Sequence, residues 1–163
     1  MPPSPQSPSP PQIFDRDKLR QRRQAFARQY GDYDFLRARV SSDLETRVAD
    51  TPRIFETMLE LGGAEGRLSQ TLLGQNRTKL AIVGDTADLF LKAAAARGLE
   101  AVFADEEALP FETERFDLVV SPLTLHWVND LPGALVQIRR VLKPDGLFLG
   151  ALFGAGTLAE LRD

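Results

Sequence analysis

The sequence predicts an α/β fold with a doubly wound parallel sheet that carries helices on both faces. From residue 57 onward, short apolar segments alternate with amphipathic ones, which is typical of βαβ units. A glycine-rich turn follows the first apolar segment, and acidic residues follow the next two. Because ligands bind beyond the carboxyl ends of parallel strands, we expect these turns to form one site.

Five strands and three helices are predicted in this region. The strands cover residues 57–61, 80–83, 100–104, 116–121 and 147–153. The helices cover residues 67–73, 88–97 and 132–142, and Gly98 stands where a glycine commonly ends a helix. Residues 143–146, Lys-Pro-Asp-Gly, are predicted to form a turn before the last strand.

The chain is predicted to divide into three parts. Residues 1–11 are rich in Pro and Ser and cannot bury enough apolar surface to fold, so we expect a disordered tail. Residues 12–55 are predicted to form a helical segment, and residues 56–163 the sheet domain.

Two helices are expected in the segment over residues 12–55. A basic helix over residues 14–29 is expected to end at Tyr30-Gly31-Asp32, and Asp34 is a plausible N-cap of the next helix. Thr51 and Pro52 predict a short helical turn after it. We expect the basic helix to present a solvated face, with binding to an acidic partner or an anionic membrane as the alternatives.

Composition excludes several classes of function. The net charge of −3 gives no general attraction to nucleic acid, which needs a basic surface. The chain has no cysteine and one histidine, His126, so no metal site is expected. No apolar run is long enough to span a bilayer, and the N-terminus does not resemble a signal peptide. We therefore expect a cytoplasmic location.

The turn after the first strand reads Glu60-Leu61-Gly62-Gly63-Ala64-Glu65-Gly66. Its glycines allow a tight strand-to-helix connection and the close approach of a ligand to bare backbone. A turn that only joins strand to helix is the alternative.

An acidic residue, Asp85, ends the second strand 25 residues after Glu60. Dinucleotide-binding folds place a ribose-binding acid about 20 residues after the glycine turn. The alternative is a helix cap, because Asp85 and Thr86 precede a predicted helix.

The loops after the third and fourth strands hold the remaining candidates. After the third strand, Asp105 and Glu106 can accept hydrogen bonds from an adenine amino group, and a solvated acidic loop is the alternative. After the fourth strand, the chain carries its only histidine and its only tryptophan, Trp127. His126 is a weak candidate for a general base, and hydrogen-bonded packing is the alternative that we favour.

Together these residues resemble the class I S-adenosylmethionine-dependent methyltransferases. Residues 60–66 stand where that family has its acidic-x-Gly-x-Gly-x-Gly turn, and Asp85 stands at its ribose-binding acid. Asp105 and Glu106 match its adenine-contacting loop, and residues 121–123 match the segment that lines the methionine end of the cofactor. The resemblance implies a Rossmann-like methyltransferase fold.

A narrower resemblance rests on His-Trp-Val-Asn-Asp-Leu-Pro at residues 126–132. The subgroup contains a mitochondrial assembly factor of respiratory complex I, described as an arginine hydroxylase, and bacterial relatives labelled as malonyl-carrier-protein methyl ester synthases. Ala64 departs from the family by replacing its middle glycine, which adds a Cβ where the cofactor is expected to pack. The family sheet normally has two further strands, so we expect the last two strands to be missing.

The resemblance implies that S-adenosylmethionine is the cofactor and that a methyl group passes to an unidentified small-molecule or protein acceptor. The cofactor-binding residues it implies are Glu60, Gly62, Gly63, Gly66, Asp85, Thr86, Asp105, Glu106, Ser121 and Leu123. Two alternatives stay open: a cofactor-binding protein-arginine hydroxylase or complex I assembly factor, and a non-enzymatic assembly protein that binds a partner through its basic helix.

Overall fold

A computed structural model describes residues 11–154, 156 and 157 of the chain. Apart from Pro11, the tail predicted over residues 1–11 lies outside the described residues. In chain order the elements are α1 (Arg16–Phe26), a 3-10 turn (Ala27–Gln29), α2 (Tyr30–Tyr33), α3 (Phe35–Ala49), β1 (Phe55–Leu61), α4 (Arg67–Gly74), β2 (Thr78–Asp85), α5 (Asp88–Ala96), β3 (Glu100–Phe103), β4 (Phe116–Pro122), a second 3-10 turn (Leu125–Trp127), α6 (Leu131–Val141) and β5 (Leu142–Ala151).

The five strands form one parallel sheet in the order β3-β2-β1-β4-β5. Alternate residues of the central strand β1 belong to two different buried clusters: Leu59 packs with α6, and Met58 packs with α3 and α4. Since both faces of the sheet are covered, the predicted doubly wound α/β fold is confirmed. The strand order reverses between β1 and β4, which is where such sheets bind ligands.

Two local predictions in the helical segment are wrong, and a third is correct in position only. Tyr30-Gly31-Asp32 does not end the helical path, because residues 27–33 continue as a 3-10 turn and α2. The ring of Tyr30 lies 5.0 Å from the ring of Phe90, and this tertiary contact outweighs the local glycine signal.

Asp34 occupies the predicted N-cap position of α3, and its carbonyl accepts from the Ala38 N–H at 2.8 Å. Its side chain makes no capping hydrogen bond, since the carboxylate instead lies 3.2 Å from the Arg67 guanidinium. Thr51 and Pro52 form a bend rather than a helical turn. In that bend the Thr51 hydroxyl donates to the Val48 carbonyl at 2.7 Å.

The turn predicted over residues 143–146 lies inside β5 as a bulge. Pairing jumps from Phe116 opposite Leu142 to Leu118 opposite Leu147, so the intervening residues leave the ladder. Asp145 takes a left-handed conformation with φ of +59°. Strand β5 also ends at Ala151, two residues earlier than predicted.

The N-terminal helices differ in how they attach to the sheet. Leu44 and Val48 of α3 are buried in the core, whereas no residue of α1 is fully buried. Helix α1 is therefore attached through polar contacts, which are described below. Across the described part of the chain, every helix is too short or too polar to cross a membrane.

Candidate functional site

Two glycines of the turn after β1 allow neighbouring elements to approach closely. Gly62 and Gly66 have left-handed conformations, with φ of +66° and +71°. A Cβ on Gly66 would lie 2.5 Å from the Leu99 side chain, so this glycine allows the start of α4 to approach the sheet. A Cβ on Gly62 would lie 2.6 Å from Thr124, which belongs to the loop after β4. The turn is therefore closed against two other loops.

Ala64 stands in the turn with its methyl group directed into the protein. The residue is 1% exposed and packs in a cluster with Tyr30, Ala87 and Phe90. Its φ of +50° is unusual for a residue with a Cβ. The backbone N–H of Ala64 donates to the Asp85 carboxylate at 3.0 Å. The methyl group thus fills a protein cluster, and the N–H joins the turn to the end of β2.

Glu60 is fully buried and binds the first turn of α4. Its carboxylate accepts from the Ser69 N–H at 2.9 Å and from the Ser69 hydroxyl at 2.7 Å. Burial raises the pKa of Glu60, and the Arg37 guanidinium, 3.7 Å away, opposes this rise. The arrangement satisfies a free helix N–H and places negative charge at the positive end of the helix.

Arg37 of α3 joins the carboxyl ends of β1 and β4. Its guanidinium donates to the Gly62 carbonyl and, at 2.8 Å, to the Pro122 carbonyl. The side chain is 13% exposed. Arg37, Glu60 and Gly63 line a cavity of about 150 Å³ between α3 and the start of α4.

Asp85 is completely covered, and its hydrogen-bonding capacity is filled. The N–H groups of Ala64 and Ala87 donate to its two oxygens, each at 3.0 Å. The Arg23 guanidinium forms two further hydrogen bonds to the same carboxylate. Although burial opposes it, the Asp85 charge raises the pKa of Arg23. Asp85 does not cap α5, which begins at Asp88 with Ala87 in the N-cap position.

The acids after β3 form a second contact with α1. Arg16 donates to Asp105 at 2.8 Å and also to Glu106. Although burial opposes it, Glu106 and then Asp105 raise the pKa of Arg16. Glu106 also accepts from the Thr124 hydroxyl at 2.6 Å and its side chain is 7% exposed. A solvated acidic loop is therefore the wrong description of Glu106.

The end of β4 and the loop after it hold two buried polar atoms that have no partner within the described part of the chain. Ser121 is fully buried, and neither its hydroxyl nor Nδ1 of His126 has a hydrogen-bond partner among the described residues. The His126 ring lies 4.5 Å from the Phe153 ring. Burial, and then the charge of Arg23, lower the pKa of His126, so its neutral form is favoured. Leu123 has φ of +55° and donates its N–H to the Ala151 carbonyl of β5.

The structure brings the predicted residues together in two groups. Thr86, Asp105 and Glu106 line one cavity, of about 60 Å³, beneath Arg16 and Arg23. Glu60 and Gly63 line the cavity beside Arg37. The turn after β1 contacts both groups, because Ala64 binds Asp85 and Gly62 packs on Thr124, the partner of Glu106.

Three arginines of the site, Arg16, Arg23 and Arg37, were missed by sequence reasoning. The solvated face expected for the basic helix is wrong for Arg16 and Arg23, whose side chains are each 20% exposed. Their spacing offered a signal: residues seven apart on a helix lie on the same face. Arg37 stands in a helix with many charged residues, and no spacing marks it out.

One family model and several curated relatives match this chain. Residues 59–150 match the family model described as "Methyltransferase domain". The Homo sapiens protein named "Arginine-hydroxylase NDUFAF5, mitochondrial" is 46% identical over 160 residues, covering 96% of this chain and 46% of that protein. A "Malonyl-[acyl-carrier protein] O-methyltransferase" of Halorhodospira halophila is 34% identical, covering 96% of this chain and 55% of that protein. The chain thus spans about half the length of these curated relatives.

Solved structures show the same fold at low sequence identity. The putative methyltransferase in a complex with the Haloferax volcanii Trm112 methyltransferase activator aligns with a TM-score of 0.71 and 24% identity. That alignment covers 80% of this chain and 59% of the other. A putative S-adenosyl-L-methionine-dependent methyltransferase of Methanococcus maripaludis aligns with a TM-score of 0.70 and 19% identity, covering 79% of this chain and 63% of the other.

Proposed function

Because this chain belongs to the Methyltransferase domain family, we propose that it binds S-adenosylmethionine and transfers its methyl group to an acceptor. The binding site in this proposal is the crevice at the carboxyl ends of β1, β2 and β4, together with the loop after β3. The matched residues span all five strands, so the crevice belongs to the family's own fold.

The proposal is supported most directly by the hydrogen-bonding environment of Asp85. Asp85 is the last residue of β2. Its carboxylate accepts one hydrogen bond from a backbone N–H of the glycine-rich turn and two from the Arg23 guanidinium. Two vicinal ribose hydroxyls would present a similar pair of donors to the same two oxygens. The donor and acceptor types at the end of β2 therefore fit an adenosine.

The other residues of the crevice fit the rest of the cofactor by chemical type. Asp105 and Glu106 offer acceptors for an adenine amino group, and the Ser121 hydroxyl is a buried group that still needs a partner. We assign cofactor binding to Glu60, Gly62, Gly63, Gly66, Asp85, Thr86, Asp105, Glu106, Ser121 and Leu123. Glu60, Gly63 and Gly66 act in this assignment through the shape of the turn, since their visible contacts are to protein.

Methyl transfer from S-adenosylmethionine requires little acid or base catalysis by the protein. When bound, the cofactor supplies an activated methyl group: the acceptor's lone pair bonds to carbon while the carbon–sulfur bond breaks and its electrons return to sulfur. The protein's task is to orient the acceptor in line with that bond. We assign no catalytic base, and His126 stays a weak candidate whose neutral form is the one that can accept a proton.

Calorimetry with S-adenosylmethionine tests the proposal directly. Saturable heat with one site per chain is expected from well-folded protein. Circular dichroism and a cooperative thermal transition establish folding in the same sample. Folded protein that releases no heat at millimolar cofactor would overturn the proposal.

Hydroxylation is the second candidate, since several relatives are named arginine-hydroxylase. The two reactions leave different products on a protein acceptor. Methylation adds one carbon with two hydrogens, whereas hydroxylation adds one oxygen. Mass spectrometry of a protein acceptor incubated with the chain therefore separates them. A binding protein without activity would leave the acceptor's mass unchanged while still forming a complex.

The methyl acceptor and the cellular location of the protein also belong to this proposal. We propose that a small-molecule or protein acceptor approaches the site beside Trp127, whose side chain is 39% exposed. An acidic partner would meet the outer face of α1, where Arg22 is exposed. The cytoplasmic location stays a prediction, because the relatives at 40–46% identity are named mitochondrial.

A further inference from the structure

The carboxylate proposed to bind ribose has its acceptor sites filled by protein donors. A carboxylate has about four lone-pair sites for hydrogen bonds. On Asp85, the backbone N–H groups of Ala64 and Ala87 take two of them, and the Arg23 guanidinium takes the other two. A ribose diol also needs two. The pairing of Arg23 with Asp85 and the binding of ribose are therefore mutually exclusive.

A second arginine of α1 covers the acids proposed to bind adenine. Arg16 donates to both Asp105 and Glu106, and Arg23 lines the same cavity two helical turns away. Both guanidinium groups thus approach the crevice from one face of α1. The helix occupies the ribose and adenine positions at the same time.

The start of the α1 region is fastened to the loop after β4. The Asn129 side chain accepts from the N–H groups of Ile13 and Phe14, each at 2.7 Å, and donates to the Phe14 carbonyl at 3.0 Å. The Phe14 ring meets the Trp127 ring edge to face at 5.5 Å. This anchor consists of hydrogen bonds between the Asn129 side chain and the backbone, together with one aromatic pair. It does not involve the contacts that Arg16 and Arg23 make with the acids.

The rest of α1 has few contacts that would resist displacement. No residue of the helix is fully buried, so little apolar surface is lost when it moves. Its position over the crevice depends on the contacts of Arg16 and Arg23 with the acids, on a hydrogen bond from Arg16 to the Trp127 carbonyl, and on one from the Leu89 N–H to Gln24. At its C-terminal end, Phe26 packs on Tyr30 with ring centroids 5.7 Å apart, outside the part of the helix that covers the crevice. Elements held in this way belong to the low-stability end of a fold.

We propose that residues 13–23 form a strap that occupies the cofactor site in cis, so that S-adenosylmethionine binds by displacing Arg23 from Asp85. This inference rests on the proposed function. The apparent cofactor affinity is the intrinsic affinity multiplied by the fraction of molecules in which the strap is undocked. By linkage, cofactor binding loosens the strap to the same extent.

The first test compares two substitutions on the same helix by calorimetry with S-adenosylmethionine. Arg23→Gln removes the guanidinium from Asp85, and we expect cofactor affinity to rise roughly tenfold. Arg22→Gln removes the same charge from an exposed position and should leave affinity within about twofold. Equal affinity for the native chain and Arg23→Gln, with both folded, would overturn the strap.

The second test needs no variant and has the opposite sign to ordinary ligand protection. Trypsin cleaves after the basic residues of α1, and we expect saturating S-adenosylmethionine to speed cleavage within residues 16–23 while it protects the sheet. Slower cleavage at those sites would mean that the segment closes over the ligand, which contradicts displacement. If the native chain binds no cofactor at millimolar concentration, the proposed function itself fails; binding without faster cleavage refutes the strap alone.

Discussion

Replacing Arg37 with methionine tests whether one buried cation holds the carboxyl ends of β1 and β4 together. Arg37→Met keeps an unbranched apolar stem in place of the aliphatic part of the side chain but removes its hydrogen bonds to the Gly62 and Pro122 carbonyls. Each hydrogen bond to a charged group contributes about 1.5–3 kcal/mol, and the carbonyls left behind are partly buried. We expect the free energy of unfolding to fall by about 3 kcal/mol, since such losses are not additive.

Urea and thermal unfolding measure this loss, with a matched control on the same helix. A loss of that size corresponds to a fall in Tm of about 6–12 °C for a chain of this length. Arg39→Met removes a charge that is 79% exposed and lies 3.7 Å from Asp43, so its effect should stay within about 0.5 kcal/mol. Arg37→Met costing no more than Arg39→Met would refute the assignment.

The loss should also depend on pH, because Arg37 faces the buried Glu60. Burial raises the pKa of Glu60 above its unfolded value, so its contribution to stability is present at low pH and lost as the pH rises through the folded pKa. Arg37 opposes that loss by stabilising the ionised carboxylate. The difference between Arg37→Met and the native chain should therefore grow from acid to neutral pH. A difference that is constant with pH would show that Glu60 does not sense Arg37.

Three further predictions concern single positions. Asp117→Asn should lower the free energy of unfolding by about 2 kcal/mol in urea, since Asp117 accepts from Thr57 and Lys143. Although burial opposes it, Lys143 and Thr57 lower the pKa of Asp117, so native stability should fall more steeply than the variant's below about pH 4. In an Arg23→Gln background, Asp85→Ala should weaken S-adenosylmethionine binding in calorimetry about tenfold, and unchanged affinity would contradict the ribose assignment. Ala64→Gly should change Tm little, because relief of the left-handed Cβ offsets about 0.8 kcal/mol of lost methyl burial, whereas a large gain in cofactor affinity would place that methyl in the cofactor's path.

The sheet was predictable because each strand has a local signal. Buried parallel strands are short apolar runs, and the helices between them show a period near 3.6. The acids at the strand ends were found for the same reason, since Asp85 and Asp105 directly follow apolar runs. Element types therefore followed from residues that are near one another in the chain.

The errors arose where distant residues decide the local conformation. Tyr30 stays helical because it packs on Phe90, sixty residues later. The bulge in β5 forms where Lys143 reaches Asp117 and where Arg53 donates to the Asp145 carbonyl at 2.6 Å. Local turn signals cannot contain such contacts. The arginine partners of the candidate site were missed for this reason too.

The three arginines explain why the helical segment belongs to the site. Arg16 pairs with the acids after β3, Arg23 with the acid that ends β2, and Arg37 binds the loops after β1 and β4. Acids removed from water need a counter-charge or hydrogen-bond donors, or they lose a large solvation energy. The helices supply those donors in the free chain.

The acids proposed to bind the cofactor are therefore the acids that fasten α1. In this proposal, the stability of the N-terminal helix and the affinity for the cofactor depend on the same oxygens, so a gain in one is a loss in the other. Arg37 stands outside this exchange, because it binds backbone carbonyls and faces Glu60, one of whose oxygens is already held by Ser69. The segment thus contains one connection to the sheet that is independent of the proposed ligand site, at α3, and one that we propose competes with the cofactor, at α1.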